Sequence, residues 1–591
     1  MGFKIGNFTS NIHDTNYKAK FEQQTVDNST LIQINGRERE SLNGKYTFTV
    51  DPYETCLRSE WFLGLTEKPD SHMEIPINYN FELYPTHNVP SCWNMEDDQL
   101  YYYSDTGLYF RNFKYKNRGE EHVFLHLEGA MYRCYVFMNH EFVGVHDGGS
   151  TPFSMDVTEY LKEGENEILF SVDTSRESYR LPMDNTDWFN YGGLYRDIYL
   201  LRTPKVFIKD YYATLVPNQK FDTIHAEVTM NESVNETVVF EIAELGVKES
   251  IEVKDGKGEI SISAKPELWS PDSPKLYDVT FTSASDSVSD KIGFREIRVE
   301  GLNIILNGKE IFLKGISIHE DHVDLGKTTN DDIIRQSINQ LKDMYGNFFR
   351  LAHYPHTRRF AQIADEMGVL LWEEVPVYWA IDFKNPATIK DGQNQLRELI
   401  LRDRNRASVI IWSVGNENPD TDERLEFMIK LVDICHELDP TRPTSAACLV
   451  NKVTLRLEDR LMDHLDIIGN NEYYGWYDPN IDELLDILDN TNLTKPVIIA
   501  EFGAGAKAGY HSTKESLWSE EFQAELYRRQ YETMAKSPFI KGTTPWIFYD
   551  FRAVRRLNKH QEGFNRKGLI AEDRKTKKLA YYVTQDHYKN M

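Results

Sequence analysis

Two apolar segments of the sequence each end in a glutamate. Residues 409–414 read Val-Ile-Ile-Trp-Ser-Val, and Gly415-Asn416-Glu417 follows directly. Residues 496–500 read Pro-Val-Ile-Ile-Ala and lead into Glu501. Short apolar runs of this length are typical of buried β-strands. If both strands belong to one parallel barrel, the two carboxylates converge at its mouth. A pair of carboxyl groups is the smallest set of catalytic groups that usually cleaves a glycosidic bond.

The sequence that positions these glutamates alternates between apolar strands and helical segments. Strands are predicted at 311–318, 348–351, 369–372, 409–414, 444–449, 467–470, 497–500 and 543–548. Helices are predicted at 331–344, 357–367, 394–404, 422–438, 481–488 and 516–535. Eight strand–helix repeats, or nearly so, predict a C-terminal (β/α)8 TIM barrel over residues 298–591.

Polar and aromatic residues follow the predicted barrel strands. In such barrels the active groups lie just past the C-terminal ends of the strands. The residues at these ends are His319, Glu320, Asp321, Arg350, His353, Glu373, Glu374, Asn416, Glu417, Asn471, Glu472, Tyr473, Tyr474, Glu501, Trp546 and Asp550. Each has a plainer explanation alone; Arg350, for example, fits an ion pair with a carboxylate. Together they predict a sugar pocket.

The N-terminal half is predicted to be all β. Residues 1–203 contain short alternating segments between Gly, Asn and Asp turns, which favours a jelly-roll β-sandwich. Residues 204–297 carry further short strands and fit an immunoglobulin-like β-sandwich that acts as a spacer. The loop at 181–193 concentrates aromatic residues and amides, with Asp184 and Asp187. It either reaches into another domain's site or packs locally as an Ω-type loop.

Charge and composition exclude several classes of function. The net charge of −26 argues against a nucleic-acid or anionic-membrane partner. The five cysteines are scattered without a C-x-x-C motif, so neither a disulfide framework nor a zinc site is expected. No metal or other cofactor is expected. The sequence starts without an apolar targeting region and has no 18-residue apolar run, so we expect a cytoplasmic protein with no membrane span.

The ordered set of motifs resembles glycoside hydrolase family 2. Gly415-Asn416-Glu417 is similar to the family's acid/base signature, and residues 500–503, Ala-Glu-Phe-Gly, are similar to its nucleophile signature. Residues 42–46, 187–193 and 268–271 resemble motifs of its sugar-binding domain, loop and immunoglobulin-like domain. The resemblance implies that Glu501 is the nucleophile and Glu417 the acid/base of a retaining hydrolase.

Within that family the motifs resemble those of bacterial β-glucuronidases. Residues 471–477, Asn-Glu-Tyr-Tyr-Gly-Trp-Tyr, match a tyrosine-rich motif, with Glu472 where an arginine is common. Asn565-Arg566-Lys567 is similar to the Asn-x-Lys motif that binds the glucuronate carboxylate, and an ammonium beside an amide suits that anion. The resemblance implies an exo-acting retaining β-glucuronidase. A β-galactosidase or β-galacturonidase of the same family and a non-catalytic carbohydrate-binding protein stay open as alternatives.

The resemblance also implies a set of substrate contacts. These are Asp184, His319, Asn416, Asn471, Tyr473, Tyr477, Trp546, Asn565 and Lys567. Asp187 is the alternative to Asp184. Gln561 stands where some members have an arginine, and Arg552, Arg555 or Arg556 are the candidates to replace it. The short segment between Trp379 and Gln393 implies an open entrance, and the family implies a homo-oligomer, either a tetramer or a dimer.

Overall fold

The computed structural model describes residues 21, 30–58, 60, 62, 84–119 and 121–591 of the 591-residue chain. Its contacts divide the chain into two compact units. The first comprises Met1–Arg176, Asn190–Lys209 and Asp324–Thr328, and the second comprises Glu177–Phe189, Asp210–Val323 and Thr329–Met591. The segment Glu177–Phe189 therefore groups with the C-terminal residues rather than with its neighbours in sequence.

The first unit is built on an antiparallel β-sandwich. Its strands are β1 (Arg39–Ser41), β2 (Gly44–Val50), β3 (Thr86–Val89), β4 (Thr106–Tyr115), β5 (Glu121–Leu127), β6 (Arg133–Met138), β7 (Glu141–Asp147), β8 (Phe153–Asp156), β9 (Gly164–Asp173) and β10 (Ile198–Pro204). One sheet has the order β1-β10-β5-β8 and the other β3-β2-β4-β9-β6-β7. Alternate residues of β9, Ile168, Phe170 and Val172, pack into the core between the sheets, as a two-residue period requires. Helices α1 (Thr55–Arg58) and α2 (Trp93–Glu96) are single turns.

A second sandwich follows. Its strands are β11 (Ile208–Leu215), β12 (Thr223–Met230), β13 (Glu236–Ile242), β14 (Val247–Val253), β15 (Lys257–Ser263), β16 (Tyr277–Thr282) and β17 (Ser287–Ile292). They form the sheets β11-β12-β15 and β14-β13-β16-β17. A three-stranded sheet of β18 (Ile297–Glu300), β19 (Asn303–Leu306) and β20 (Lys309–Ile311) leads to the barrel.

The C-terminal strands close into the predicted parallel barrel. They are β21 (Leu313–Ile318), β22 (Phe348–Leu351), β23 (Leu370–Glu374), β24 (Val409–Asn416), β25 (Thr444–Leu449), β26 (Ile468–Asn471), β27 (Val497–Glu501) and β28 (Ile540–Thr543). Neighbours pair in parallel, and β28 pairs with β21 to close the ring. Two sandwiches followed by an eight-stranded barrel confirm the predicted fold class.

Helices surround the barrel. They are α3 (Asp331–Asp343), α4 (Arg358–Met367), α5 (Pro386–Asp403), α6 (Asp422–Leu438), α7 (Asp482–Asn490), α8 (Glu520–Met534) and α9 (Leu579–Asn590). Helix α5 begins eight residues before the predicted start at 394, because Asn385 caps it and Pro386 occupies its first turn. Of the helices in the described part of the chain, none is long and apolar enough to cross a membrane.

The last barrel strand differs from its prediction at 543–548. The structure ends β28 at Thr543, and the apolar run that follows is not a sheet ladder. The N–H of Trp546 donates to Phe502, that of Ile547 to Lys567, and that of Phe548 to Ser317. Because each N–H bonds to a different segment, the run does not extend the regular ladder of β28, and the Trp546 side chain lines the cavity described below.

Candidate active site

A cavity of about 370 Å³ lies at the C-terminal ends of the barrel strands. Its lining comprises Asp187, Tyr378, Trp379, Glu417, Leu449, Val450, Lys452, Asn471, Glu472, Tyr473, Tyr474, Tyr477, Asp478, Glu501, Trp546, Arg556 and Lys567. Three of these, Glu417, Glu501 and Asn471, belong to the ends of β24, β27 and β26. The two glutamates of the sequence pattern therefore share one cavity, although 84 residues (501 − 417) separate them.

Glu501 ends β27 and is 5% exposed. One oxygen accepts a hydrogen bond of 2.7 Å from the Arg350 guanidinium, and the other accepts one of 2.8 Å from the Tyr473 hydroxyl. Burial and the negative charge of Glu417 raise the pKa of Glu501 to about 7, against the lowering effect of Arg350 and Tyr473. The Glu501 carboxylate is thus fixed in position by two donors and titrates near neutrality.

Arg350 is the fully buried cation behind Glu501. It also donates to Glu374 at 3.0 Å and to the side-chain oxygen of Asn416 at 2.7 Å. Burial raises the pKa of Glu374, but Arg350 and His353 overcome this effect and hold it below its usual value. Burial lowers the pKa of His353 to about 4, so this ring is neutral near pH 7. One guanidinium therefore balances two carboxylates.

Glu417 lies just past β24 in a constrained backbone. Its φ of 52° is in the left-handed region, which is uncommon for glutamate. At Gly415 an added Cβ would lie 2.5 Å from the Asn418 side chain and 2.9 Å from the Val377 carbonyl, so only glycine fits. The Trp379 indole N–H and the Asn471 amide each donate to the Glu417 carboxylate at 2.8 Å. The close packing at Gly415 and the two donors thus fix the position of the Glu417 carboxylate in the cavity lining.

Asn416 contacts the residues that hold the two glutamates. Its side-chain oxygen accepts hydrogen bonds from Arg350 and, at 3.1 Å, from Asn471. Its amide nitrogen is buried and has no hydrogen-bond partner among the residues that the structure describes. A buried amide N–H without a partner costs free energy unless a ligand accepts from it. The amide of Asn416 is therefore a donor suited to a ligand hydroxyl.

Lys567 places a cation in a second part of the cavity lining, which we call the cation end. It is 5% exposed, its ammonium donates to the Tyr477 hydroxyl at 2.7 Å, and it lies 5.0 Å from the centre of the Tyr473 ring. Within the described ranges no Asp or Glu oxygen lies within 4 Å of this ammonium. Burial opposes ionisation of Tyr477, but the charges of Lys567 and Arg556 lower its pKa below the usual value. This end of the cavity is electropositive.

Asp187 enters the cavity from the segment Glu177–Phe189 and is held by two donors. Arg556 makes a two-pronged contact with it, 2.9 Å from Nε to Oδ1 and 2.5 Å from Nη2 to Oδ2. The Asn565 amide donates to Oδ2 at 3.0 Å. Fork-shaped Arg–carboxylate pairs of this kind fix orientation as well as charge. Asp187 and Arg556 are thus both positioned beside Lys567.

The structure brings most of the predicted site residues together. Those lining the cavity are Glu417, Glu501, Asn471, Tyr473, Tyr477, Trp546 and Lys567. Asn416, Asn565 and His319 are buried next to the lining without forming part of it. Asp184 is exposed and outside the lining, whereas Asp187 is part of it. Of the two aspartates considered, Asp187 and not Asp184 lies in the cavity lining, and a contact of Asp187 with substrate stays a prediction.

Several site residues were not predicted from the sequence. Trp379 and Tyr378, which line the cavity, are two of them. Arg350 and Glu374 belong to the predicted strand-end set, and the structure shows that they form an ion pair behind the cavity. Trp379 lies five residues past β23, and Arg556 lies in a long connection, so no strand-end pattern marks them. Among the three arginines considered in place of an arginine at 561, Arg556 is the one that lines the cavity.

The described residues offer one grouping with metal-ligand spacing. His225, Glu227 and Glu259 lie on β12 and β15 of the second sandwich, and none of them lines the cavity. All five cysteines are buried free thiols.

Comparison with protein families covers nearly the whole described chain. Residues 39–204 match the sugar binding domain of the glycosyl hydrolases family 2, residues 206–295 match the model described as glycosyl hydrolases family 2, and residues 297–591 match the family's TIM barrel domain. The chain belongs to glycosyl hydrolase family 2. It is a glycoside hydrolase, with the cavity above at the mouth of the family's barrel.

Known relatives of this family 2 chain extend over most of its length. It is 27% identical to a β-glucuronidase of Paenibacillus borealis over 92% of this chain and 96% of the relative. It is 28% identical to a β-glucuronidase of Bacteroides fragilis over 86% of this chain and 80% of the relative.

Two solved structures have the same fold. A β-glucuronidase of Ruminococcus gnavus in complex with D-glucuronic acid superposes with a TM-score of 0.82 at 27% identity, over 94% of this chain and 98% of that chain. A family 2 β-galacturonidase of Eisenbergiella tayi bound to glycerol superposes with a TM-score of 0.80 at 26% identity, over 94% of this chain and 97% of that chain.

Proposed function

We propose that this hydrolase is a retaining exo-β-glucuronidase that removes terminal β-D-glucuronic acid. The observation that carries the proposal is a buried lysine, Lys567, without an acidic partner within the described residues, in the cavity that Glu417 and Glu501 line. A buried ammonium is stabilised when an anion pairs with it. A uronic acid differs from a neutral sugar by one carboxylate, which would supply that anion.

In the proposed first step Glu501 attacks the anomeric carbon. A Glu501 carboxylate oxygen forms the ester bond while the glycosidic C–O bond breaks, and Glu417 gives its proton to the leaving oxygen. Arg350 and Tyr473 hold the nucleophile against rotation during the attack. When Glu417 carries the proton, its negative charge no longer raises the pKa of Glu501, so the nucleophile ionises more readily in that state.

In the proposed second step water releases the sugar. The Glu417 carboxylate takes a proton from the water, whose oxygen bonds to the anomeric carbon as the ester to Glu501 breaks. The product has the stereochemistry of the substrate, and both glutamates return to their starting states. Retaining enzymes hold the two carboxyl groups about 5–5.5 Å apart, and this proposal requires that separation between Glu417 and Glu501.

We assign the remaining contacts by their chemistry. The amide of Asn416 donates to the 2-hydroxyl, since its oxygen is already bound to Arg350 and Asn471. Lys567, Asn565 and Arg556 bind the sugar carboxylate, and Asp187 accepts from ring hydroxyls. Arg556 thus takes the role that an arginine at 561 has in some members. The Trp546 ring forms a wall, and His319 supports that wall through an edge-on contact of 5.2 Å between ring centres.

The relatives support a uronide substrate and leave a second candidate. The R. gnavus enzyme binds D-glucuronic acid, and the E. tayi enzyme of the same fold is a β-galacturonidase. Glucuronate and galacturonate differ at the 4-hydroxyl and share the carboxylate, so a lysine clamp serves both. β-Galacturonidase is therefore the second candidate, and β-galactosidase is the third because a neutral sugar leaves Lys567 unpaired.

The decisive experiment compares three substrates. Nitrophenyl β-D-glucuronide, β-D-galacturonide and β-D-galactoside are assayed side by side, and NMR follows the anomer first released. We expect the glucuronide to have the highest kcat/KM and the β-anomer to appear first. A galacturonide preference selects the second candidate, and binding without turnover of any of the three selects a non-catalytic carbohydrate-binding protein. The cytoplasmic location, the bacterial source and the homo-oligomeric state, a tetramer or a dimer, stay proposals.

A further inference from the structure

Glu472 lies between the two residues that hold the proposed catalytic glutamates. On one side the Asn471 amide donates to Glu417, and on the other the Tyr473 hydroxyl donates to Glu501. The backbone N–H of Glu472 itself donates to the carbonyl of Glu501 at 2.9 Å. Glu472 is therefore joined to the backbone of Glu501 directly and to both carboxylates through its two neighbours.

The Glu472 side chain joins the loop after β26 to helix α8. It is 3% exposed, and its Oε2 accepts from the Tyr474 backbone N–H at 2.9 Å and from the Gln530 amide at 3.4 Å. The Gln530 amide also donates to the Tyr474 carbonyl at 3.1 Å. Glu472 Oε1 is buried without a hydrogen-bond partner in the part of the chain that the structure describes.

Among the residues that the structure describes, no cation contacts this carboxyl group to offset a negative charge on it. The titratable groups that face it are Tyr474 and Asp478 on its own loop and Tyr527 on α8, where the neutral Gln530 completes the contact. No Lys, Arg or His nitrogen of a described residue lies within 4 Å of it. Burial raises the pKa of Glu472 to about 8, with a further rise from Asp478, against the smaller effect of the two N–H donors.

We propose that Glu472 is a positioning residue that acts in its neutral form by fastening the 471–477 loop to α8. Its ionisation in alkaline solution places an unpaired charge in the protein interior, which draws the loop towards water and displaces Tyr473 and Asn471. The proposal rests on the proposed roles of Glu417 and Glu501.

The activity test compares wild type with Glu472→Gln, which keeps the shape and the acceptor for Tyr474 but has no proton to lose. The substrate is dinitrophenyl β-D-glucuronide, whose leaving group departs without a proton from Glu417, so the burst rate follows Glu501 and its positioning. From pH 8 to pH 9 we expect the wild-type burst rate to fall several-fold, whereas Glu472→Gln changes by less than about twofold.

Glu520→Gln is the matched control. Glu520 lies on α8, is 5% exposed, and both its oxygens accept backbone N–H bonds, from Gly509 at 2.7 Å and from Leu579 at 2.9 Å. Its pH profile should match that of wild type. A burst profile of Glu472→Gln that superimposes on wild type, or one that is lower by the same factor at every pH, overturns the proposal.

A second measurement needs no activity. A carboxyl group whose pKa is raised on folding contributes stability that is lost as the pH rises from the unfolded value near 4.5 to about 8. The difference in thermal midpoint, Glu472→Gln minus wild type, should therefore increase as the pH rises through this window and stay constant above it. A pH-independent difference overturns the titration of Glu472. Absence of all uronide hydrolysis in a wild type that shows the expected midpoints overturns the proposed function instead.

Discussion

The part of the barrel cavity that holds the two glutamates and the cation end differ in how their charged groups are paired. At the end that holds Glu417 and Glu501, each carboxylate accepts two hydrogen bonds from fixed donors. At the end that holds Lys567, the buried ammonium has a tyrosine hydroxyl and two aromatic rings around it. Asp187 lies in the same lining but is paired with Arg556, and no acidic oxygen of a described residue lies within 4 Å of the ammonium.

This difference assigns bond cleavage and substrate recognition to different residues of the cavity. The two carboxylates of the proposed reaction are held by these donors without a ligand, so no free energy of binding is spent on orienting them. The cation end gains its missing counter-charge only when an anionic sugar arrives, so it discriminates between substrates. We expect substitutions at the first end to affect all substrates alike and those at the second to affect uronides selectively.

The largest expected effect is at Glu501. Glu501→Ala removes the nucleophile and should lower kcat by roughly four orders of magnitude or more on every substrate. The thermal midpoint should change little or rise, because a carboxyl group whose pKa burial raises is removed and Arg350 keeps Glu374 as a partner. Retention of more than one hundredth of wild-type kcat, measured with nitrophenyl β-D-glucuronide, contradicts the assignment.

Glu417→Gln should follow, with a dependence on the leaving group. Loss of a general acid costs roughly 10²–10⁴-fold where the leaving oxygen needs a proton. We expect this loss in kcat/KM with methyl β-D-glucuronide and a much smaller loss in the burst rate with the dinitrophenyl substrate. An equal loss with both substrates shows that Glu417 is not the acid.

Lys567→Ala tests the recognition end. Leaving a bound carboxylate without its cation should cost a few kcal/mol, or about 10²–10³-fold in kcat/KM for a glucuronide. A galactoside should be affected by less than about threefold. Lys452→Ala is the matched control, because Lys452 also lines the cavity but pairs with Asp478 at 2.9 Å. An equal loss of kcat/KM for the glucuronide and the galactoside contradicts a selective role of Lys567 in binding uronides.

The smallest effect concerns the acidic limb of the pH profile. Since Glu501 must be ionised to attack, kcat/KM should fall below about pH 7, where Glu501 takes up a proton. Tyr473→Phe removes a donor that lowers the pKa of Glu501, so the limb should move to higher pH, with a loss of about tenfold at pH 6. Glu417→Gln removes a negative charge that raises the same pKa, so its limb should move to lower pH. Shifts in the same direction contradict the coupling.

The barrel and its two glutamates could be predicted from the sequence because both rest on local patterns. Strand periodicity located the ends of β24 and β27, and the barrel rule then placed Glu417 and Glu501 at one rim. The last strand was placed too late because the apolar run around Ile547 has the composition of a strand. Its backbone bonds to three separate segments, which only the tertiary structure reveals.

Residues that reach the cavity from long connections could not be predicted with the same certainty. Asp184 and Asp187 are three residues apart with the same chemistry, and only the path of the loop selects Asp187. Arg552, Arg555 and Arg556 pose the same problem, and the bond to Asp187 distinguishes Arg556. In each case the sequence supplied the residue type, and the fold decided which copy faces the cavity.

The membership of Glu177–Phe189 in the second compact unit limits how this enzyme can be divided. A fragment restricted to the family's barrel, residues 297–591, contains both glutamates and Lys567 but not Asp187. In such a fragment Arg556 and Asn565 lose the acceptor that orients them, and the empty position admits water. A minimal active fragment would therefore need the thirteen residues Glu177–Phe189 in addition to the barrel, although they lie more than one hundred positions before it in the sequence.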